Sequence, residues 1–164
     1  MKLCITGHDF SGKSTLLKEL YKEEDNGKLS YIHLSYREPT DLDFYYKTLM
    51  FSNFIMDRCY LDELIYPEIF NREQNLTKEE AKFLYDASVK LGITTLIVEC
   101  SDDEVLKNRV SFREGQEESE VLNNLYLLRD KYREVAKMFN IPILDTSNMT
   151  LEEEKEYVRK LLTK

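Results

Sequence analysis

The sequence contains few of the residues that interrupt helices and strands or that cross-link a chain. Its 164 residues include no tryptophan, five glycines, three prolines and three cysteines. Because the cysteines form no CxxC pair and have no metal-ligand spacing, they argue against a disulfide framework or a zinc site, and we expect reduced, buried thiols at Cys4, Cys59 and Cys100. No linker, repeat or low-complexity stretch interrupts the chain, so we expect a single domain over residues 1–164.

Long apolar runs and positive charge are also scarce. No stretch is apolar enough to predict a transmembrane helix, and the apolar start is too short for a signal peptide, so we expect a cytoplasmic protein with no membrane partner. The formal net charge is −8. A broad nucleic-acid footprint requires a basic surface, and we therefore expect no stable nucleic-acid partner. A chain of this charge that binds polyanions must concentrate its cations at one place.

The periodicity of the apolar residues alternates between that of strands and that of helices. It predicts strands at residues 2–6, 31–35, 54–56, 94–99 and 141–144. It predicts helices at residues 13–22, 41–49, 77–90, 101–110, 118–139 and 151–162, capped among others by Asp41, Thr77 and Ser101. This alternation predicts the α/β class, with a three-layer, doubly wound, five-stranded parallel sheet that binds ligands at the carboxyl ends of its strands.

One segment matches a phosphate-binding motif. Residues 7–15 read Gly-His-Asp-Phe-Ser-Gly-Lys-Ser-Thr, which fits G-x-x-x-x-G-K-[ST] between a predicted strand and a predicted helix. Glycines let backbone N–H groups turn toward phosphate oxygens, and the helix N-terminus adds its positive end. Such a loop uses its lysine on the β- and γ-phosphates and its serine on Mg²⁺. The motif predicts a nucleoside triphosphate site formed by Gly7, Asp9, Ser11, Gly12, Lys13, Ser14 and Thr15.

Acid–arginine pairs follow two of the predicted strands. Arg37-Glu38-Pro39 comes after the second strand, and Asp57-Arg58 comes after the third. A carboxylate at this edge of the sheet can hold Mg²⁺ or polarise an acceptor hydroxyl, and an arginine can clamp a phosphate with two hydrogen bonds. The pairs therefore favour phosphoryl transfer over simple nucleotide binding.

Together with the phosphate loop, these residues resemble the thymidylate kinase and deoxynucleoside kinase superfamily over nearly the whole chain. The selective parts are Glu38-Pro39 and Asp57-Arg58, with Tyr60, Glu63 and Tyr66-Pro67 behind them. The resemblance implies a P-loop kinase with a short lid at about residues 109–118, with ATP as donor. It also implies Mg²⁺ held by Ser14 and Asp57, and a phosphate contact from Arg58.

The resemblance further suggests residues for the lid, the donor base and the acceptor. Arg109 and Arg113 are its lid arginines, which would stabilise the transition state alongside Lys13, Asp57, Arg58 and Glu38. Thr146 and Ser147 would border adenine after the fifth strand. Planar rings suit a nucleobase, although each ring could equally serve core packing. The candidates for acceptor binding are Arg37, Arg58, Phe44, Tyr60, Tyr66 and Arg72.

Two acceptor classes stay open on the sequence. A deoxynucleoside monophosphate such as dTMP or dUMP needs cations for its phosphate, which Arg37 and Arg58 offer. A deoxynucleoside needs a carboxylate base for its 5′-hydroxyl, and Glu38 is the candidate. The sequence is also compatible with a kinase that acts on a modified base in DNA and with a non-enzymatic nucleotide-binding module. An Asn-Lys-x-Asp motif is missing, which disfavours a GTPase. Related kinases are often dimers, so a homodimer also stays open.

Overall fold

The fold is built on a parallel sheet. The computed structural model describes residues 1–35, 40–111 and 118–163, with the backbone only at 118–121. The strands are β1 (Lys2–Thr6), β2 (Ser30–His33), β3 (Phe54–Asp57), β4 (Thr94–Glu99) and β5 (Ile143–Asp145). They pair in the order β2-β3-β1-β4-β5, and each pair is parallel. The predicted α/β class with a five-stranded parallel sheet is confirmed.

Helices cover both faces of the sheet and connect its strands. They are α1 (Lys13–Glu24), α2 (Leu42–Leu49), α3 (Tyr66–Phe70), α4 (Lys78–Lys90), α5 (Asp103–Ser111), α6 (Glu118–Phe139) and α7 (Leu151–Leu162). The predicted caps hold for α2 and α4. Asp41 accepts a hydrogen bond from the N–H of Phe44 at 2.9 Å, and Thr77 forms a capping box with Glu80.

Two predictions of local structure were wrong. The start of α5 is held by Asp102, whose carboxylate accepts hydrogen bonds from the N–H groups of Glu104 and Val105. Ser101, the predicted cap, instead donates its hydroxyl to Asp145. The segment after β3, for which no helix was predicted, contains a 3₁₀ helix at Tyr60–Leu64 followed by α3. Both helices are only five residues long, which is too short for a periodic pattern to develop.

The core lies in two apolar layers on either side of the sheet. One layer joins β1, β3 and β4 to α1 and α7, with Leu3, Leu16 and Val158 among its buried members. The other joins the sheet to α2, α4 and α6 and contains Tyr45 and Tyr132. Cys4, Cys59 and Cys100 are buried free thiols, as predicted. In the ranges that the structure describes, no helix is long and apolar enough to cross a membrane.

The sheet order places one strand end at the centre of the molecule. The chain builds β2 and β3 on one side of β1 and then crosses to build β4 and β5 on the other side. In open sheets of this type, ligands bind at the carboxyl edge where the strand order changes direction. The loop that follows β1 lies at that point, and it is the segment with the phosphate-binding motif.

Candidate active site

The phosphate loop follows β1 and is shaped by two of its glycines. A Cβ atom on Gly7 would lie 2.0 Å from the carbonyl oxygen of Val98, so only glycine fits beside β4. Gly12 has a φ of +91°, a conformation that side chains rarely adopt, and α1 begins at the next residue. The loop therefore runs from a buried strand directly into a helix N-terminus, as phosphate binding requires.

Three contacts from outside the loop fix its carbonyl and imidazole groups. The hydroxyl of Thr146 donates a hydrogen bond to the carbonyl oxygen of Ser11 at 2.6 Å. The guanidinium of Arg109 donates to the carbonyl oxygen of Phe10 at 3.0 Å and also to Thr146. The N–H of Cys100 donates to Nε2 of His8 at 3.0 Å. These bonds tie the loop to the ends of β4 and β5 and to α5.

His8 is a buried, uncharged member of the loop. Its Nδ1 hydrogen-bonds to the carbonyl oxygen of Asp9 at 2.7 Å, while Nε2 accepts from Cys100. Burial lowers the pKa of His8 to about 4, although the neighbouring Asp9 carbonyl opposes that shift. The imidazole is therefore neutral at physiological pH and stabilises the loop through its two hydrogen bonds.

A cavity of about 450 Å³ opens on one side of the loop, and we call it the donor cavity. Its wall consists of residues 8–15 together with Arg109, Leu151 and Glu154. The hydroxyl of Ser11 is buried and has no hydrogen-bond partner among the residues that the structure describes. An orphaned hydroxyl within a phosphate loop is suited to a phosphate oxygen, which would satisfy it.

Lys13 and Asp57 form a buried ion pair at the head of α1. Lys13 is 5% exposed, and its Nζ lies 3.0 Å from Oδ1 of Asp57. The other carboxylate oxygen accepts hydrogen bonds from His33 at 2.9 Å and Tyr31 at 3.3 Å. Burial alone would raise the pKa of Asp57, but Lys13 and His33 outweigh it and hold that pKa below its ordinary value. Asp57 is therefore an ionised carboxylate.

Arg58 turns from the end of β3 toward the phosphate loop on an unusual backbone. Its φ is +69°, in the left-handed region, and its Nη2 lies 2.7 Å from Asp9. Its guanidinium also stacks over the ring of Tyr66, 4.8 Å from the ring centroid. Burial would lower the pKa of Arg58, but Asp62 and Asp9 raise it, so the guanidinium stays charged.

Asp62 holds the side chain of Arg58 in position. Its carboxylate accepts hydrogen bonds from the hydroxyl of Thr6 at 2.7 Å and from the N–H of Cys59 at 2.7 Å. The hydroxyl of Tyr132 on α6 donates to the same carboxylate. Nη1 of Arg58 lies 3.6 Å away. Asp62 thus fixes the direction of Arg58 through contacts with β1, the 3₁₀ helix and α6.

A second cavity of about 980 Å³ lies on the other side of Lys13, and we call it the acceptor cavity. At the end near the phosphate loop it is lined by Asp9, Lys13, Ser14 and Arg58. Other parts of its wall include His33, Thr40, Tyr45, Glu63, Tyr66, Pro67, Arg72 and Asn75. The carboxylate of Glu63 accepts hydrogen bonds from Thr40 at 2.6 Å and from Tyr45 at 3.2 Å. The guanidinium of Arg72 lies 6.0 Å from the ring centroid of Tyr66.

Most of the predicted site residues therefore lie around the two cavities, but two rings do not. Tyr60 was predicted to face the acceptor. It is fully buried, and its hydroxyl bonds to Ser88 on α4. Phe44 packs edge-to-face on Tyr45 instead of lining the cavity. The prediction for Tyr60 was wrong because one side of its short helix must fill the core, and the sequence did not show which side. Phe44 is only partly buried, and its role in acceptor binding stays a prediction.

The predicted donor-base residues also occupy different positions from those expected. Thr146 is buried behind the phosphate loop, and Ser147 bonds to Asp145 and to the N–H groups of Ser101 and Asp102. Neither lines the donor cavity. Arg109 does line it, but its guanidinium braces the loop. Arg37, Glu38, Arg113 and residues 112–117 of the expected lid lie outside the described residues.

The donor set at the phosphate loop is compatible with Mg²⁺. Ser14 is exposed and lines both cavities, and the ionised carboxylate of Asp57 lies behind Lys13. Magnesium in nucleotide sites is typically held by one or two protein oxygens, with phosphates and water completing the shell. Among the described residues, no cluster of three or more histidine, cysteine, aspartate or glutamate side chains could bind a metal without such help.

Comparison with solved structures identifies the fold. The YorR protein from Bacillus subtilis, solved in complex with phosphorylated GDP, superposes with a TM-score of 0.77 at 24% identity, covering 98% of this chain and 95% of that one. Thymidylate kinase from Candida albicans gives a TM-score of 0.62 at 16% identity, covering 99% and 91%. Deoxyadenosine kinase from M. mycoides, solved with bound dATP, gives 0.58 at 17% identity and covers 100% of both chains.

The chain has the fold of the P-loop kinases. No model of a known protein family matches the chain, and no curated protein matches it. At these identities the likeness establishes the P-loop kinase fold alone, and the choice of substrate depends on the two cavities.

Three residues of this P-loop kinase fold were missed in the sequence. They are His8, Asp62 and Glu154, each of which is buried at or beside a cavity. His8 occupies a variable position of the motif, and the other two sit in helices as ordinary acids. A partner distant in the chain reveals what His8 and Asp62 do, Cys100 for the first and Thr6 for the second.

Proposed function

We propose that the protein is a kinase that transfers the γ-phosphoryl group of a nucleoside triphosphate to a deoxynucleoside monophosphate. The observation that carries this proposal is the convergence of cations on the acceptor cavity. Lys13, Arg58 and Arg72 all line it, and both guanidiniums lie within 6.0 Å of the Tyr66 ring centroid. One arginine beside the phosphate loop and a second in the wall of the same cavity suit an acceptor that carries its own phosphate.

The donor would bind with its phosphates on the loop. Lys13 would exchange Asp57 for the β- and γ-phosphate oxygens, since a triphosphate offers it more negative charge than one carboxylate. Asp57 would stay ionised through His33 and Tyr31, which already contact its second oxygen. Ser14 and Asp57 would hold Mg²⁺, which neutralises phosphate charge when bound. The resemblance leads us to expect ATP as this donor.

The acceptor phosphate would meet Arg58. Its guanidinium is oriented by Asp62 and Tyr66, so little side-chain freedom is lost when a phosphate binds. A phosphate oxygen is already a nucleophile and needs no strong base, which fits a site where Lys13 and Arg58 line the end near the loop. Arg109 lies at the donor side, where its hydrogen bonds connect Phe10 of the loop to Thr146, the residue after β5.

A deoxynucleoside is the second candidate acceptor, and one contact favours it. His33 lines the acceptor cavity, and its ring lies 2.9 Å from Asp57. The Asp57 carboxylate behind His33 and Lys13 could then serve as the hydrogen-bond acceptor for a 5′-hydroxyl. The base expected from the resemblance is Glu38, and Glu38→Gln would separate the branches. A large loss of rate would favour a nucleoside, and a small loss would favour a monophosphate.

Acceptor-dependent release of nucleoside diphosphate tests the proposal. The full chain would be incubated with Mg·ATP and, in parallel, Mg·GTP, against the common deoxynucleosides and their 5′-monophosphates. We expect turnover with a monophosphate, with dTMP and dUMP as the leading candidates. Turnover with nucleosides alone would move the protein to the second candidate. Release that is independent of every acceptor would leave only a nucleotide-binding module, and Lys13→Ala serves as the inactive control.

A further inference from the structure

Helix α7 begins with three consecutive glutamates that have different surroundings. Glu153 closes a capping box, because its carboxylate accepts the N–H of Thr150 at 2.7 Å. The exposed Glu152 pairs with Lys155, which is itself buried. Glu154 is only 7% exposed and lines the donor cavity together with the phosphate loop. Because of the helix periodicity, only one of the three acids lines the donor cavity.

In the ranges that the structure describes, no protein group donates a hydrogen bond to the carboxylate of Glu154, and its oxygens are not among the fully buried atoms there that lack a partner, so they remain accessible at the donor cavity that the residue lines. Arg109 is the cation whose charge acts on it, but the hydrogen bonds of that guanidinium go to Phe10 and Thr146. Burial raises the pKa of Glu154, and the charge of Arg109 offsets this only in part. A carboxylate that lines a cavity without a protein donor is available to accept hydrogen bonds from a ligand that brings N–H groups.

We propose that Glu154 recognises the base of the donor nucleotide and selects guanine over adenine. Guanine presents its N1–H and its 2-amino group side by side, and the two can meet the two oxygens of one carboxylate. Adenine presents a single amino group next to N1, an acceptor that a carboxylate repels. The inference rests on the proposed function, because it takes the donor cavity to be the triphosphate site, and it replaces the expected ATP with GTP.

A purely structural role for Glu154 is the competing explanation. A glutamate that only fills space beside α1 and α5 would stabilise α7 without binding a base. Its neighbours argue against that role, because Leu151 and Arg109 share the same cavity wall with the phosphate loop. A base whose phosphates lie on residues 8–15 would be bounded by these side chains, and Glu154 is the carboxylate among them.

Equilibrium binding of GTP, ITP and ATP to the full chain, measured by calorimetry without an acceptor, tests this proposal. We expect GTP to bind at least about tenfold more tightly than ATP, since one well-formed pair of hydrogen bonds changes affinity by that order. ITP retains N1–H but lacks the 2-amino group, so it should fall between them. Glu154→Gln should bring the GTP-to-ATP ratio close to one.

The control is Glu156→Gln, which removes a charge from an exposed position of the same helix, where Glu156 pairs with Lys160. That variant should keep the ratio of the unmodified protein. Equal affinities for GTP and ATP, or an unchanged ratio in Glu154→Gln, would overturn the role of Glu154 and leave the kinase proposal standing. If no triphosphate binds, or if Lys13→Ala binds as well as the unmodified chain, the proposed function itself fails. If Glu154→Gln does not fold, equal affinities for GTP and ATP in the unmodified chain would still overturn the role of Glu154.

Discussion

At the scale of single residues, Arg58 combines a chemical role with a strained backbone. Its φ of +69° is unfavourable for any side chain by about 1 kcal/mol, and glycine relieves that strain. We therefore expect Arg58→Gly and Arg58→Ala to lose activity alike, by about two orders of magnitude or more. Thermal unfolding should nevertheless place the glycine variant above the alanine variant.

Steady-state kinetics against the acceptor and a melting curve for each variant provide the two readouts. Near-normal turnover in either variant would mean that Arg58 does not meet the acceptor. A glycine variant less stable than the alanine variant would mean that the backbone at residue 58 is not strained. The comparison separates the effect of losing the guanidinium from the effect of relieving the backbone strain at residue 58.

Contiguous motifs pointed to residues that the fold brings close together. Lys13 and Ser14 begin α1, Asp57 ends β3 and Arg58 follows it. Residues that act through distant partners could not be found in this way. Thr6 and Asp62 are 56 positions apart, and His8 and Cys100 are 92 apart. Local propensity carries no information about such pairs, because only the folded sheet brings them together.

At the scale of elements, α7 connects stability to donor binding. Its cap, Thr150, accepts from the N–H of Glu153, and loss of such a cap destabilises a helix by about 1 kcal/mol. We expect Thr150→Ala to lower the melting temperature by about 2–4 °C and to weaken triphosphate binding several-fold, because Leu151 and Glu154 lie in the first turn.

Thr77→Ala is the matched comparison for that variant. Thr77 forms the same kind of capping box at α4, whose residues line neither cavity. Its melting temperature should fall by a similar amount while triphosphate affinity stays unchanged. Equal effects of both variants on affinity would show that α7 influences the donor cavity only through global stability.

The elements that the sequence predicted well are the long ones. The bounds of β4, α6 and α7 agree with prediction, because apolar periodicity is strong over many residues. The segment 60–70 was not predicted, since its two helices are short and one includes Pro67. The shortness of the first helix also explains the wrong prediction that Tyr60 faces the acceptor. No pattern in the sequence indicated which side of that single turn faces the core.

At the scale of the whole molecule, the buried imidazole of His8 makes stability depend on pH. Its pKa is about 4 in the folded protein and near 6.5 when unfolded, so the unfolded chain binds the extra proton first. Stability is fully present above pH 6.5 and falls as pH drops toward 4. The shift corresponds to about 3 kcal/mol across that window.

Urea unfolding of the unmodified protein and of His8→Gln, from pH 7 to pH 4, measures this contribution. Glutamine can accept the N–H of Cys100 without titrating, so the difference between the two proteins should change by up to about 3 kcal/mol. Carboxylates titrate in both proteins and cancel in the difference. Parallel pH profiles would mean that His8 is protonated in the folded state or accessible to water.

The three contacts that brace the phosphate loop have a kinetic consequence. Cys100 holds His8, Thr146 holds Ser11 and Arg109 holds Phe10, so each brace comes from the protein itself. A preorganised loop loses little conformational entropy when a ligand arrives, so association should be a single step whose observed rate rises linearly with triphosphate concentration. Selectivity between donors would then appear in the dissociation rate.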